Sequence, residues 1–173
     1  MDFNFKDKYG IDDLIKIMEI LRSENGCPWD REQDHKSIRQ NLIEETYEVI
    51  EAIDNDDTEL LKEELGDALL QVVFHSRIEE EKNSFDFSDV ADGICKKLII
   101  RHPHVFGNIT ADTPEEVLKN WDDIKMKTKS QTKASEAMDS VAKSLPALMR
   151  ADKIRSKAKK AGYAPKSYET AYE

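Results

Sequence analysis

Apolar residues recur along the chain at intervals of three and four, the period of an α-helix. They nowhere alternate for long enough to mark a β-strand. Ile11, Leu14, Ile15, Met18 and Leu21 predict a first helix over about residues 11–24. Asn25-Gly26-Cys27-Pro28 ends it, because glycine and proline punctuate helices, and a loop is expected through Trp29 and Asp30. Ile38, Leu42, Val49 and Ile53 mark a second helix over roughly 35–54. Asp54-Asn55-Asp56-Asp57 is a turn, and Asp56 or Asp57 can cap the next helix. That third helix runs to about Lys82. Its apolar residues between Leu60 and Ile78 cover most of its circumference, which predicts a central, buried helix.

Ser88 is the expected cap of a fourth helix, to about Arg101. His102-Pro103-His104 stops it, since a residue before proline avoids the helical region. Thr113-Pro114 opens a fifth helix, to about Lys127. Residues 128–137 are polar and predict an exposed linker of disordered character. A last helix is expected from near Ser144-Leu145-Pro146 to Gly162. There is no repeat of fixed period. The fold class is all-α, a helical bundle.

The chain has 173 residues, of which 39% are hydrophobic and 36% charged. That length suits one domain with a core of its own, and the balance suits helices with long solvated faces. The net charge of -10 excludes wholesale binding of nucleic acid, whose phosphates require a cationic partner. Cys27 and Cys95 have neither disulfide-framework nor zinc-site spacing. Met1-Asp2-Phe3-Asn4-Phe5-Lys6 lacks the apolar segment of a signal peptide, and no apolar run reaches the roughly 20 residues of a membrane span. The expectation is a cytoplasmic protein without a membrane partner.

Most acidic residues here belong to solvated faces, but four do not fit that description. Each residue turns an α-helix by about 100°. With Glu45 at zero, Ile38 lies at about +20°, Val49 at about +40° and Leu42 at about +60°. Glu45 therefore borders the apolar stripe. Glu48, at about −60°, is at its margin, while Glu44 and Glu51 fall on the wetter side. With Asp67 at zero, Leu60 and Ile78 lie at about +20° and Phe74 at about −20°. Leu70 lies at about −60°, and Glu64, at about +60°, is on the same side. Burying bare carboxylates is costly, and clustering them adds repulsion. A cation relieves both. The i, i+3 spacing in Glu45/Glu48 and in Glu64/Asp67 puts each pair on one side of its helix. Packed antiparallel across the turn at 54–57, the two helices would aim four carboxylates at one point. Oxygen-only ligands suit Mg²⁺ or Mn²⁺ rather than zinc. A di-iron bundle needs Glu-x-x-His on two helices; the only instance is Glu32-x-x-His35, so that reading is set aside.

Glu44-Glu45-x-x-Glu48 followed by Glu64-x-x-Asp67 matches the EExxE…ExxD signature of the all-α nucleoside triphosphate pyrophosphohydrolases, and the chain resembles the MazG family in particular. Cys27-Pro28-Trp29-Asp30, Leu65-Gly66-Asp67, Gln71-Val72-Val73-Phe74, Arg101-His102-Pro103-His104-Val105-Phe106-Gly107 and Ser144-Leu145-Pro146-Ala147-Leu148 carry the rest of the resemblance, over about residues 10–163. It implies a MazG-like domain at 1–163, similar to the N-terminal one of two-domain members, with 164–173 as a tail. It also implies a homodimer that binds Mg²⁺ through Glu45, Glu48, Glu64 and Asp67 and hydrolyses nucleoside triphosphates to monophosphate and pyrophosphate. Lys97, Arg101, Trp121 and Lys125 take the family's phosphate- and nucleotide-contacting positions, Lys97 and Arg101 also serving catalysis. Each i, i+4 pair shares a helix face, and Lys and Arg clamp polyphosphate. Trp121 serves either as a stacking surface for the base or as a core anchor. Glu44 or Glu48 orients or deprotonates the attacking water, and the residues do not choose between them. The competing reading is a catalytically weak regulatory domain that binds nucleotide or a protein partner. Trp29 either closes over the base or packs in its loop. His75 reads as a packed residue, His102 and His104 as a helix-stop turn, and the basic final helix as a solvated face.

Overall fold

The computed structural model describes residues 3–128 and 134–163. The described residues form nine α-helices, three more than the spacing predicts, and no strand, in keeping with the all-α class. They are α1 (Ile11–Leu21), α2 (Pro28–Glu32), α3 (Arg39–Asp54), α4 (Thr58–Glu80), α5 (Phe87–Arg101), α6 (Pro103–Phe106), α7 (Pro114–Thr128), α8 (Ala134–Asp139) and α9 (Ala147–Lys160). The chain forms two compact units, Met1–Lys96 and Lys97–Glu173, with the division inside α5.

In the first unit α3 packs along α4, and α1 also packs on α4. Met18, Ile38, Val73, Phe74 and Ile78 form the buried core, with Leu14, Ile15, Leu21, Leu70 and Phe87 packed around it. The turn between α3 and α4 is tight because Asp56 adopts a left-handed conformation, φ 54°, which aspartate tolerates better than most residues. Asp57 then caps α4, its carboxylate accepting from the Leu60 amide at 3.0 Å.

Several elements depart from the pattern, each for a local reason. The helix α1 stops at Leu21, earlier than expected, because the chain folds back and the Cys27 amide donates to the Leu21 carbonyl at 2.7 Å. Gly26 permits this return: a Cβ there would lie 2.2 Å from the Ile20 carbonyl oxygen. The expected loop at Trp29 and Asp30 is instead the short α2, opened by Pro28 at its first turn. The helix α3 begins at Arg39 rather than near 35. Before it, the Asp34 carboxylate accepts from the amides of Lys36 and Ser37, each at 2.8 Å, a turn that competes with helix. Only the C-terminal half of α4 is buried. Gln71, Val73, Phe74, Ser76 and Ile78 are inside, whereas Leu65 and Leu69 are exposed. The cap of α5 is Asp86, not Ser88: Asp86 and Asp89 each accept from the other's amide, at 2.9 and 3.1 Å, a reciprocal capping arrangement.

In the second unit α7 starts as expected. The Thr113 hydroxyl accepts from the Glu116 amide at 3.3 Å and Glu116 accepts in return from Asp112 at 2.9 Å. Of the expected linker at 128–137, residues 134–137 belong to α8, which packs on α9; 129–133 and the tail 164–173 lie outside the described residues.

Two polar clamps hold the segment from α2 to α3 against α4. Arg22 donates to both carboxylate oxygens of Glu81, at 2.9 and 2.8 Å, and also to the carbonyls of Gln33, at 3.1 Å, and Asp30. His35 lies between His75, Nδ1 to Nδ1 2.8 Å, and Glu79, Nε2 to Oε1 2.5 Å, and its ring stacks on that of His75. Two facing ring nitrogens share one hydrogen, so a doubly protonated pair would set two N–H groups against each other. Glu79 is held down to about 2, by Lys82 first and then His35. Burial, then the neighbouring His35, lowers His75 below its ordinary 6.5. Both groups bind protons more tightly when unfolded, so acidification costs stability. His75 contributes fully above 6.5 and loses its contribution as pH falls below that value. Glu79 loses its own as pH falls from 4.5 toward 2. We expect the melting temperature to fall in two stages on acidification, and His75→Asn to remove the first stage alone. Superimposable profiles for the two proteins would refute this account.

Candidate metal centre

The antiparallel pairing of α3 and α4 decides where the carboxylates go. Glu45 and Glu48 on α3 and Glu64 on α4 bring one ligand oxygen each to within 4.8 Å of one another. Glu45 and Glu64 are half-buried and Glu48 is exposed. Asp67, one turn beyond Glu64 and half-buried, stands beside this trio. Its charge acts on Glu45 and Glu64, but it is outside the tight group.

The electrostatics are those of a site that wants a cation. Loss of hydration is the largest cause that raises Glu45 above its ordinary value of 4.5, followed by the charges of Asp67, Glu48 and Glu64. Glu64 is raised by loss of hydration, then by Glu48, Asp67 and Glu63. No basic side chain appears among the causes for either group. Carboxylates gathered without a counter-ion resist ionisation, and a divalent cation with oxygen ligands would reverse that balance. Glu44 sits apart from the cluster, exposed, and accepts from Gln40 at 3.3 Å.

The hairpin's other side is apolar. With Ile43 at zero, Tyr47 lies at about 40° and Ile50 at about −20°, whereas Glu45 and Glu48 lie roughly 140–160° away. With Leu65 at zero, Leu69 lies at about 40° and Val72 at about −20°, with Glu64 and Asp67 about 100–160° away. All six apolar residues are exposed, Ile43 by 56% and Leu65 by 52%.

The basic and aromatic candidates lie in the second unit. Lys97 is exposed on α5. The Arg101 guanidinium lies 5.1 Å from the centroid of the Trp121 ring, a cation–π distance. The ring of His102 meets the same indole edge-on at 4.9 Å, while its Nδ1 lies 2.7 Å from the Leu98 carbonyl oxygen. Trp121 is thus half-buried among side chains of its own unit. Lys125 is on α7, and its side chain lies outside the described residues. In the first unit, Trp29 is 58% exposed on α2. The pattern of residues placed His75 in a packed environment but missed its link to Glu79, one turn on in α4, because His35, which joins the two, comes from the segment before α3.

Residues 33–106 match the MazG nucleotide pyrophosphohydrolase domain. That stretch of the chain is a MazG-type domain. It is 46% identical over 154 residues to the nucleoside triphosphate pyrophosphohydrolase of Escherichia coli K12, covering 88% of this chain and 59% of that protein. It is likewise 46% identical over 162 residues to the Thermotoga maritima nucleoside triphosphate pyrophosphohydrolase/pyrophosphatase MazG, covering 94% and 62%. A Bacillus subtilis protein, YabN, is 49% identical over 139 residues, 80% of this chain and 28% of that one. The chain therefore spans at most about three-fifths of these relatives' lengths. Among solved structures, a MazG-related protein from Thermotoga maritima superposes with a TM-score of 0.56 at 27% identity, over 66% of this chain and 98% of that one. The MazG match contains Glu45, Glu48, Glu64 and Asp67 and runs on through Arg101 to Phe106. No helix among the described residues is long and apolar enough to cross a membrane.

Proposed function

We propose that this MazG-family chain hydrolyses nucleoside triphosphates to nucleoside monophosphate and pyrophosphate. The observation that supports it is the meeting of Glu45, Glu48 and Glu64 inside the MazG match. In this reading residues 1–163 are the working domain. Glu45, Glu48, Glu64 and Asp67 hold Mg²⁺, with Mn²⁺ as a substitute, because the donor set is oxygen alone. A divalent cation bound there would supply Lewis-acid polarisation of phosphate oxygens and charge neutralisation. The chain's own residues do the rest. Glu44 or Glu48 orients the attacking water and accepts its proton. Lys97 and Arg101 offset the charge that develops on the phosphates, while Trp121 and Lys125 complete the nucleotide contacts. Two unpaired cysteines fit a reducing, cytoplasmic setting.

The test is pyrophosphate release from a panel of ribo- and deoxyribonucleoside triphosphates, with and without Mg²⁺. Turnover that depends on the cation and yields monophosphate is expected. Nucleotide that raises the melting temperature without any turnover would instead make the chain a binding domain.

We also propose a homodimer, supported by the two exposed apolar rows, Ile43/Tyr47/Ile50 and Leu65/Leu69/Val72. A contiguous apolar face of this kind marks an association surface. Sedimentation at micromolar concentration should give a dimer for the native chain and a monomer for Tyr47→Glu/Leu69→Glu; a native monomer would contradict the proposal.

A further inference from the structure

The second unit contains a cavity that the proposed hydrolysis does not use. Its volume is about 590 Å³, within the range of small-molecule sites. Three cations line it, Lys143, Arg150 and Arg155, over an apolar wall of Leu145, Ala147, Ala151 and Ile154. No carboxylate does.

Three features give the cavity an appetite for an anion. Arg150 lines the cavity while its Nε, closed off from solvent, has no hydrogen-bond partner among the described residues, so this guanidinium is left under-satisfied by the fold. Among the described residues Arg155 is engaged by Asp152, at 2.8 Å with both side chains well exposed, and such a pair gives way readily to a stronger anion. The first turn of α9 begins at Ala147, which lines the cavity, and has no side-chain cap on its amides, which leaves donors at that helix start. Charge is also unevenly spread. Within Ala147–Lys160 there are Arg150, Lys153, Arg155, Lys157, Lys159 and Lys160 against Asp152 alone, in a chain whose net charge is -10.

We propose that this cavity is a binding site for a small phosphoanion, its phosphate held by Arg150, Lys143 and Arg155 and any organic portion resting on Leu145 and Ile154. Guanidinium groups pair with phosphate oxygens through two parallel N–H donors. The site is independent of the carboxylate cluster and of divalent cation.

The experiment titrates the full chain with AMP and, separately, with pyrophosphate in chelator, following the methyl resonances of Leu145 and Ile154. The chelator removes any contribution from the carboxylates. Saturable shifts at those methyls are expected with at least one probe. AMP binding alone indicates an organic phosphate; pyrophosphate binding alone indicates an inorganic one. Arg150→Gln should weaken the binding about tenfold or more, the scale of one charge-assisted hydrogen bond, and Lys143→Gln should weaken it too, both with unchanged helical circular dichroism. The proposal is overturned if neither probe shifts these methyls at millimolar concentration, or if both variants bind as the native chain does. It is also overturned if only a single-stranded oligonucleotide shifts them.

Discussion

Under the proposed function, Glu45→Gln and Glu64→Gln should each lower cation-dependent pyrophosphate release by about a hundredfold or more, the scale on which a metal's charge stabilisation acts. Both residues sit half-buried in the trio whose oxygens lie within 4.8 Å, and both resist ionisation because hydration is lost and like charges surround them. The same substitutions should act oppositely on the cation-free fold. Removing one charge relieves the others, so the melting temperature without cation should rise or hold. The rise that Mg²⁺ gives the native chain by binding the folded state should disappear. Steady-state kinetics and thermal unfolding, each with and without Mg²⁺, measure the two halves. Activity that survives both substitutions would remove the carboxylate cluster from the mechanism, whatever the family. A Glu44→Gln variant asks a narrower question, since Glu44 stands outside the cluster and can affect only the handling of water.

Phe74→Ala should cost about 3–5 kcal/mol in urea unfolding, the usual range for emptying an aromatic from a core. Phe74 is 4% exposed, shares the core with Met18, Ile38, Val73 and Ile78, and has the Arg22 guanidinium 5.2 Å from its ring centroid. Arg22 also fastens α2 and the following loop to Glu81, so losing the ring loosens a clamp as well as a cavity wall. A cost below about 1 kcal/mol, typical of an exposed site, would mean that the C-terminal half of α4 is not the core.

The helices were legible because their apolar spacing is regular, and Glu45, Glu64 and Asp67 stood out because each falls beside an apolar stripe. Glu48 gave a weaker signal and is indeed the exposed member of the trio. Spacing also suggested that all four carboxylates converge equally. The packed helices draw three together and leave Asp67 at the side, a difference of helix offset that no wheel contains. Circumference was the misleading quantity in α4. An all-round apolar helix reads as central, yet Leu65, Leu69 and Val72 face outward, because a wheel does not say what packs on each sector. The turn-forming Asp34 and the reciprocal Asp86 and Asp89 cap went unmarked, since aspartates so common in this chain are read first as solvated charge. His75 and Glu79 share a face of α4 at i, i+4, but the clamp they make with His35 depends on where tertiary packing brings His35.

The hairpin of α3 and α4 has a kinetic consequence. Its two arms are neighbours in sequence, joined at Asp56 and Asp57, and contacts so local tend to form early in folding. Closing the arms drives Glu45 and Glu48 toward Glu64 before the rest of the core exists to compensate the repulsion. Those carboxylates therefore raise the barrier to folding as well as the energy of the folded state. A divalent cation bridging the arms, as proposed, would lower that barrier, so its effect would fall on the refolding rate more than on the unfolding rate. The ion that equips the chain for chemistry would then also set how quickly a new chain becomes competent for it.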